Sequence, residues 1–169
     1  MKHPIVYVDM DGTLARWEAV DVAETFRRGY YAGRAPEPEM VHLIRMLKAR
    51  GVDVRILSCA YDNGFAAPEK NRWLDVQGLS DIPRTFVPYG ENKADYIPRF
   101  AGAFLIDDYS PNLFAWEAQG NVGVKFYNGI NGTHGTWRGP FLDRNMTGEE
   151  MMERLFSMMR PAAYQAAMA

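Results

Sequence analysis

The chain has 169 residues, 47% hydrophobic and 24% charged, with a formal net charge of −2, one cysteine and three histidines. This describes an ordinary globule of one domain, long enough to bury a core. A lone Cys59 excludes an intrachain disulfide, and Cys and His are too few for a structural zinc site. Basic residues are scattered, which speaks against a duplex nucleic-acid partner, and no apolar run is long enough to span a membrane. The expectation is a cytoplasmic protein with no leader ahead of its first strand.

Residues 5–9 form an apolar strand that ends in Asp9-Met10-Asp11-Gly12-Thr13. Alternation along a strand would project both carboxylates to one side at its carboxyl end, and Gly12 lets the chain turn away. Residues 15–38 come next, rich in aromatic and basic side chains such as Trp17, Tyr30, Tyr31 and Arg34. They read either as a small helical cap inserted after the first strand or as an amphipathic helix on the core. Residues 37–50 carry Met40, Leu43, Ile44 and Leu47 at helical spacing, with Gly51 as the stop.

Further strands are predicted at 54–58, 84–87, 103–107 and 122–126, and further helices at 67–77, 93–99 and 112–118. Such alternation predicts an α/β fold, a Rossmann-like doubly wound parallel sheet of about five strands. Residues 127–141 hold four glycines and read as a long loop, with His134, Trp137 and Arg138 pointing to a functional one. Residues 148–160 form a helix, with Thr147 and Glu150 as a capping box and Pro161 as the stop. Its Met-rich face reads as core and is a candidate homodimer contact. The tail after Pro161 is expected to fray.

In a parallel sheet the strand carboxyl ends share one edge, where open α/β folds bind ligands. That edge collects Asp9 and Asp11, then Ser58, then Lys93 at a helix start, then Asp107 and Asp108. Four carboxylates repel one another unless neutralised. Lys93 supplies one charge, and a hard divalent cation such as Mg2+ supplies two more while favouring a phosphorylated substrate. No G-x-x-x-x-G-K-[ST] run is present, so hydrolysis is expected rather than transfer from ATP. In this reading Asp9 attacks phosphorus to give an aspartyl-phosphate. Asp11 protonates the leaving oxygen and then deprotonates the hydrolytic water.

The ordered set resembles the haloacid dehalogenase superfamily of phosphohydrolases. Asp9-Met10-Asp11-Gly12-Thr13 matches its first motif, Ser58 the second, Lys93 the third and Asp107-Asp108 the fourth. VDMDGTLARWE, EKNRWL, the lysine of GENKADYI and FLIDDYSPNL are more closely similar to the 5′(3′)-deoxyribonucleotidase family, bacterial members included. The run GINGTHGTW resembles uncharacterised bacterial relatives of that group.

The resemblance implies a Rossmann-like core, Mg2+ dependence and the aspartyl-phosphate route. It implies metal ligation by the Asp9 side chain, the Asp11 backbone carbonyl and the Asp107-Asp108 pair, with Asp108 in direct contact and Asp107 behind it. It places Ser58, Cys59 and Lys93 on the phosphate and Trp17 near the nucleoside. Tyr30 and Tyr31 are added to that wall from their aromatic character alone. Two departures bear on specificity: Ser58-Cys59 stands where the family often has Thr-Ser, and the insertion is shorter than in animal enzymes. The expected activity is phosphomonoester hydrolysis of a nucleoside monophosphate, a deoxyribonucleotide in particular. The alternatives are a phosphatase for another small metabolite or a nucleic-acid phosphate end, and a non-catalytic protein that binds metal or phosphate.

Overall fold

The computed structural model of the protein describes residues 4–98, 102–131 and 135–160. Six strands form one sheet: β1 (Val6–Val8), β2 (Val54–Ala60), β3 (Arg84–Pro88), β4 (Phe104–Asp107), β5 (Val122–Tyr127) and β6 (Phe141–Asp143). Their order is β3-β2-β1-β4-β5-β6, and every neighbouring pair is parallel. Strand order therefore reverses between β1 and β4, which makes their carboxyl ends the switch point of the sheet.

The helices α1 (Pro38–Ala49), α2 (Ala66–Val76), α3 (Ser110–Glu117) and α4 (Gly148–Met159) cover both faces. Val6, Val8 and Ile56 pack on one face against Leu43, Ile44 and Leu47 of α1, Trp73 and Leu74 of α2, and Met151 and Leu155 of α4. Tyr7, Leu57 and Leu105 pack on the other against Leu113 and Trp116 of α3. Both faces of the central strands are thus buried, which accounts for their unbroken apolar sequence. The Thr147–Glu150 capping box forms as expected: the Thr147 side chain accepts from the Glu150 N–H, and the Glu150 carboxylate from the Thr147 N–H. Pro38 opens α1 at its first turn and Gly51, at φ +76°, follows its end.

Three elements differ from the sequence reading. β6 adds a sixth strand where none was predicted, because three residues after a Gly-Pro step carry too little periodicity to register. The helix expected at 93–99 is a short 3-10 turn, Lys93–Tyr96. The inserted segment, residues 15–37, contains one helical element, the 3-10 turn Val22–Phe26.

Trp137 is a core residue rather than part of a functional loop. It is buried against Phe114, its indole N–H donates to the Pro140 carbonyl at 2.8 Å, and its ring fills the space that side chains at Gly123 and Gly139 would occupy. His134 and the tail after Arg160 lie outside the described residues. No helix among the described residues is long and apolar enough to cross a membrane.

Candidate active site

The switch point positions the first acids. Val8 pairs with Ile106, and the Asp9 N–H continues the ladder by donating to the Ile106 carbonyl at 2.9 Å. Asp9 therefore emerges beside Asp107. The Asp9, Asp107 and Asp108 carboxylates are all buried, with ligand oxygens within 4.8 Å of one another. Gly12, at φ +82°, turns the chain back over this cluster. A side chain there would overlap the Asp108 carboxylate, so glycine is required by contact as well as by conformation.

Two lysines divide the acids between them. Lys93, 3% exposed, donates to Asp9 Oδ1 at 2.5 Å and to Asp107 Oδ2 at 2.6 Å. Burial works against its charge, but Asp107 and Asp9 outweigh that and raise its pKa. Lys70, on α2 and 1% exposed, donates to Asp11 Oδ2, to the Cys59 carbonyl and to Ser58 Oγ, the last at 3.2 Å. Asp11 is thereby held outside the cluster of three.

The second pair of acids is also held unequally. Asp107 accepts from the Tyr109 N–H at 2.8 Å and the Asn112 amide at 2.9 Å, besides Lys93, so both its oxygens are occupied. Among the described residues Asp108 is gripped through Oδ2 alone, by Asn128 at 2.9 Å and by Asn131. The same Asn128 amide group donates to the Gly12 carbonyl at 2.9 Å, tying the first acidic loop to the last. Beneath them Lys125, fully buried on β5, donates to the Asp108 carbonyl and to Ser110 Oγ at 2.9 Å.

Electrostatics leaves these groups poised for a cation. Burial first, then Asp107 and Asp9, pushes the Asp108 carboxyl well above the usual range. Asp107 is raised by burial against the opposing pull of Lys93. Burial likewise raises Asp11, although Lys70 pulls it down. Lys125 is lowered by burial, and the Cys59 thiol is pushed up by burial. Four acids and three buried lysines leave the ionised floor net negative. A divalent cation would make it net positive, the sign a phosphate dianion needs. Three hard oxygen donors from carboxylates suit a hard cation such as Mg2+.

Asp9, Asp11, Trp17, Tyr31, Cys59, Lys93, Asp107 and Asp108 line one cavity of about 690 Å³, within the range of small-molecule sites. Of the remaining expected residues, Ser58 is fully buried beside Lys70, and Tyr30 packs edge-on behind Tyr31 with centroids 5.0 Å apart.

Sequence reasoning missed several others. Lys70 sits three and four residues before Trp73 and Leu74, on the buried face of α2, and a lysine in that stripe was the available signal. Tyr61 and Tyr89 each follow a strand carboxyl end, the position already used to find the acids, and both line the cavity. Tyr61 packs on Phe26 at 4.5 Å and on Tyr89 at 4.2 Å, a stack of three tilted rings. Burial and the Tyr89 hydroxyl push the Tyr61 phenol up to about 12. Asn128 and Asn131 carried no signal within their glycine-rich stretch.

The sequence matches no protein-family model and no curated protein. Solved structures share the fold. The D,D-heptose 1,7-bisphosphate phosphatase from B. bronchiseptica, complexed with magnesium and phosphate, is 14% identical with a TM-score of 0.62 over 92% of this chain and 99% of that one. The corresponding enzyme from Burkholderia thailandensis is 15% identical, with a TM-score of 0.59 over 91% and 99%. A HAD-like phosphatase from Mesorhizobium loti is also 15% identical, at a TM-score of 0.59 over 95% and 90%. At these identities the likeness is one of fold, and the chain shares that fold with these solved structures along nearly its whole length.

Proposed function

We propose that this protein is a metal-dependent phosphomonoesterase acting on a nucleoside monophosphate, with a deoxyribonucleotide as the preferred form, through an aspartyl-phosphate on Asp9. The observation that carries the reading is Lys93, bonded to both Asp9 and Asp107 at the floor of an aromatic-walled cavity. With two N–H groups on carboxylates, Lys93 has a third for a phosphate oxygen. Mg2+ is the metal proposed. Asp9 and Asp108, with the Asp11 backbone carbonyl, would hold it, and Asp107 would orient Lys93. When bound, it would offset charge on the transferring phosphoryl group.

The chain's own residues divide the remaining work. Asp9 attacks phosphorus as the ester P–O bond breaks, and the leaving oxygen takes a proton from Asp11. Water then attacks the phosphorus of the aspartyl-phosphate, gives a proton to Asp11, and Asp9 departs. Cys59 borders the space the phosphate would fill, whereas Ser58, fully buried, is not part of that lining and its Oγ accepts from Lys70.

The outer walls support a planar, weakly polar group beyond the phosphate. Trp17, Val20, Val22, Tyr61, Tyr89, Tyr109 and Pro111 supply them. Among the described lining residues Lys93 is the only cation, and it serves the floor. A second phosphate on a sugar bisphosphate would meet aromatic rings there, whereas a base would stack on them.

The test is phosphate release from nucleoside 5′- and 3′-monophosphates, sugar monophosphates and sugar bisphosphates, with Mg2+, with EDTA and with the Asp9→Asn protein. Metal-dependent release from nucleotides is expected, falling by at least about 10³-fold in Asp9→Asn, the scale of a lost nucleophile. Release from sugar phosphates alone would discard the nucleotide. No release from any of them by folded, metal-loaded protein would discard the enzyme.

A further inference from the structure

Lys70 is a buried cation that the catalytic route above leaves without a task. Its three N–H groups meet three acceptors: Asp11 Oδ2, Ser58 Oγ and the Cys59 carbonyl. The Tyr31 ring lies over it, with the ammonium 4.8 Å from the centroid. An ammonium has three donors and no acceptor, so all are spent and none remains for a phosphate oxygen. This separates Lys70 from Lys93, which has one left. The position is braced from outside as well. Glu69, the preceding residue on α2, accepts from the Gly29 N–H at 2.6 Å and the Tyr31 N–H at 3.2 Å, which fixes the inserted segment over the lysine.

We propose that Lys70 is a positioning residue that makes Asp11 the proton carrier of the reaction rather than another metal ligand. The proposal rests on the phosphatase reading above. By holding Oδ2, Lys70 keeps the Asp11 carboxylate away from Asp9, Asp107 and Asp108 and leaves Oδ1 to carry the proton. In the first step that proton passes from Oδ1 to the leaving oxygen while the Asp9–phosphorus bond forms. In the second, Oδ1 recovers a proton from the attacking water while that bond breaks.

The test compares first-turnover rates in the wild type, Lys70→Met, Lys70→Arg and Asp11→Asn proteins on two substrates. One is a nucleoside 5′-monophosphate, whose alkoxide needs a proton to leave. The other is p-nitrophenyl phosphate, whose nitrophenolate leaves without one. In Lys70→Met the nucleotide's first turnover should fall on the order of 100-fold, the scale of general-acid catalysis, while nitrophenolate release stays near wild type. Hydrolysis of the aspartyl-phosphate should slow with both substrates. Nitrophenolate should then appear as a burst of one equivalent followed by slow turnover.

Asp11→Asn should show the same split, and Lys70→Arg should restore much of the loss. Equal losses on both substrates in Lys70→Met, with no burst, would overturn the proposal, as would a split in Asp11→Asn that Lys70→Met lacks. If Lys70→Met does not fold, Lys70→Arg decides: a loss equal on the two substrates overturns the assignment. A wild-type protein inert on both would instead overturn the phosphatase reading on which it stands.

Discussion

The floor and the mouth of the cavity are built on opposite principles. On the floor nearly every polar atom has a partner: Lys93 clasps two acids, Lys70 is saturated, Asp107 accepts on both oxygens, and Asn128 joins Gly12 to Asp108. At the mouth the rings of Phe26 and Tyr89 are exposed, Tyr89 at 65%, and each meets the half-buried Tyr61 face to face at a tilt. A buried charge network costs dearly when one member is removed, because the partner is left desolvated and unpaired. An exposed ring loses only the contact it makes. The floor therefore specifies one arrangement of chemistry, while the mouth can tolerate change and set which molecule is presented to it.

The sharpest break in that contrast is Lys93→Met. It strands Asp9 and Asp107 in a buried site, and a loss of about 3–5 kcal/mol in urea unfolding is expected together with loss of phosphate release. A change below about 1 kcal/mol would mean the floor is less tightly coupled than its geometry indicates.

Magnesium should act on the floor alone, and in a pH-dependent way. Asp108 has a carboxyl raised well above the usual range, first by burial, so the metal-free folded protein binds protons there more tightly than the unfolded chain does. As pH falls from neutral toward the ordinary carboxylate range, that form gains stability while metal binding must displace the protons. The rise in melting temperature caused by Mg2+ should thus be largest near about pH 8 and shrink toward about pH 5. A rise that is flat or grows on acidification would show that the Asp108 carboxyl does not hold the metal.

The smallest effect is expected at the mouth. Tyr89→Ala should weaken nucleoside monophosphate binding by about 1–3 kcal/mol, read as a higher KM, with kcat nearly unchanged. The same variant should handle a sugar monophosphate like the wild type. If both substrates suffer equally, the rings are structural and do not select the base.

The acids of this site were legible because a parallel sheet aligns its strand ends, so that a pattern of apolar runs closing on Asp9, Ser58 and Asp107 already implies convergence. The α/β class, the capping box at Thr147 and the core stripe of α1 followed from periodicities of two and 3.6 residues, which are local properties. The strand order, with its reversal between β1 and β4, is not local, and it decides which strand ends become neighbours. Lys70, Asn128 and the Tyr61–Tyr89 stack belong to the same category. A lysine in a helix or an asparagine beside a glycine is locally an ordinary surface residue. Packing made Trp137 a core residue and Lys70 a buried clamp, because the energy of burying a ring or a charge depends on what the rest of the chain brings against it. The sequence by itself determined which chemistry the chain can hold. The tertiary structure alone decided how the charges are shared, since Coulomb interactions and hydrogen bonds act over distances that only folding sets.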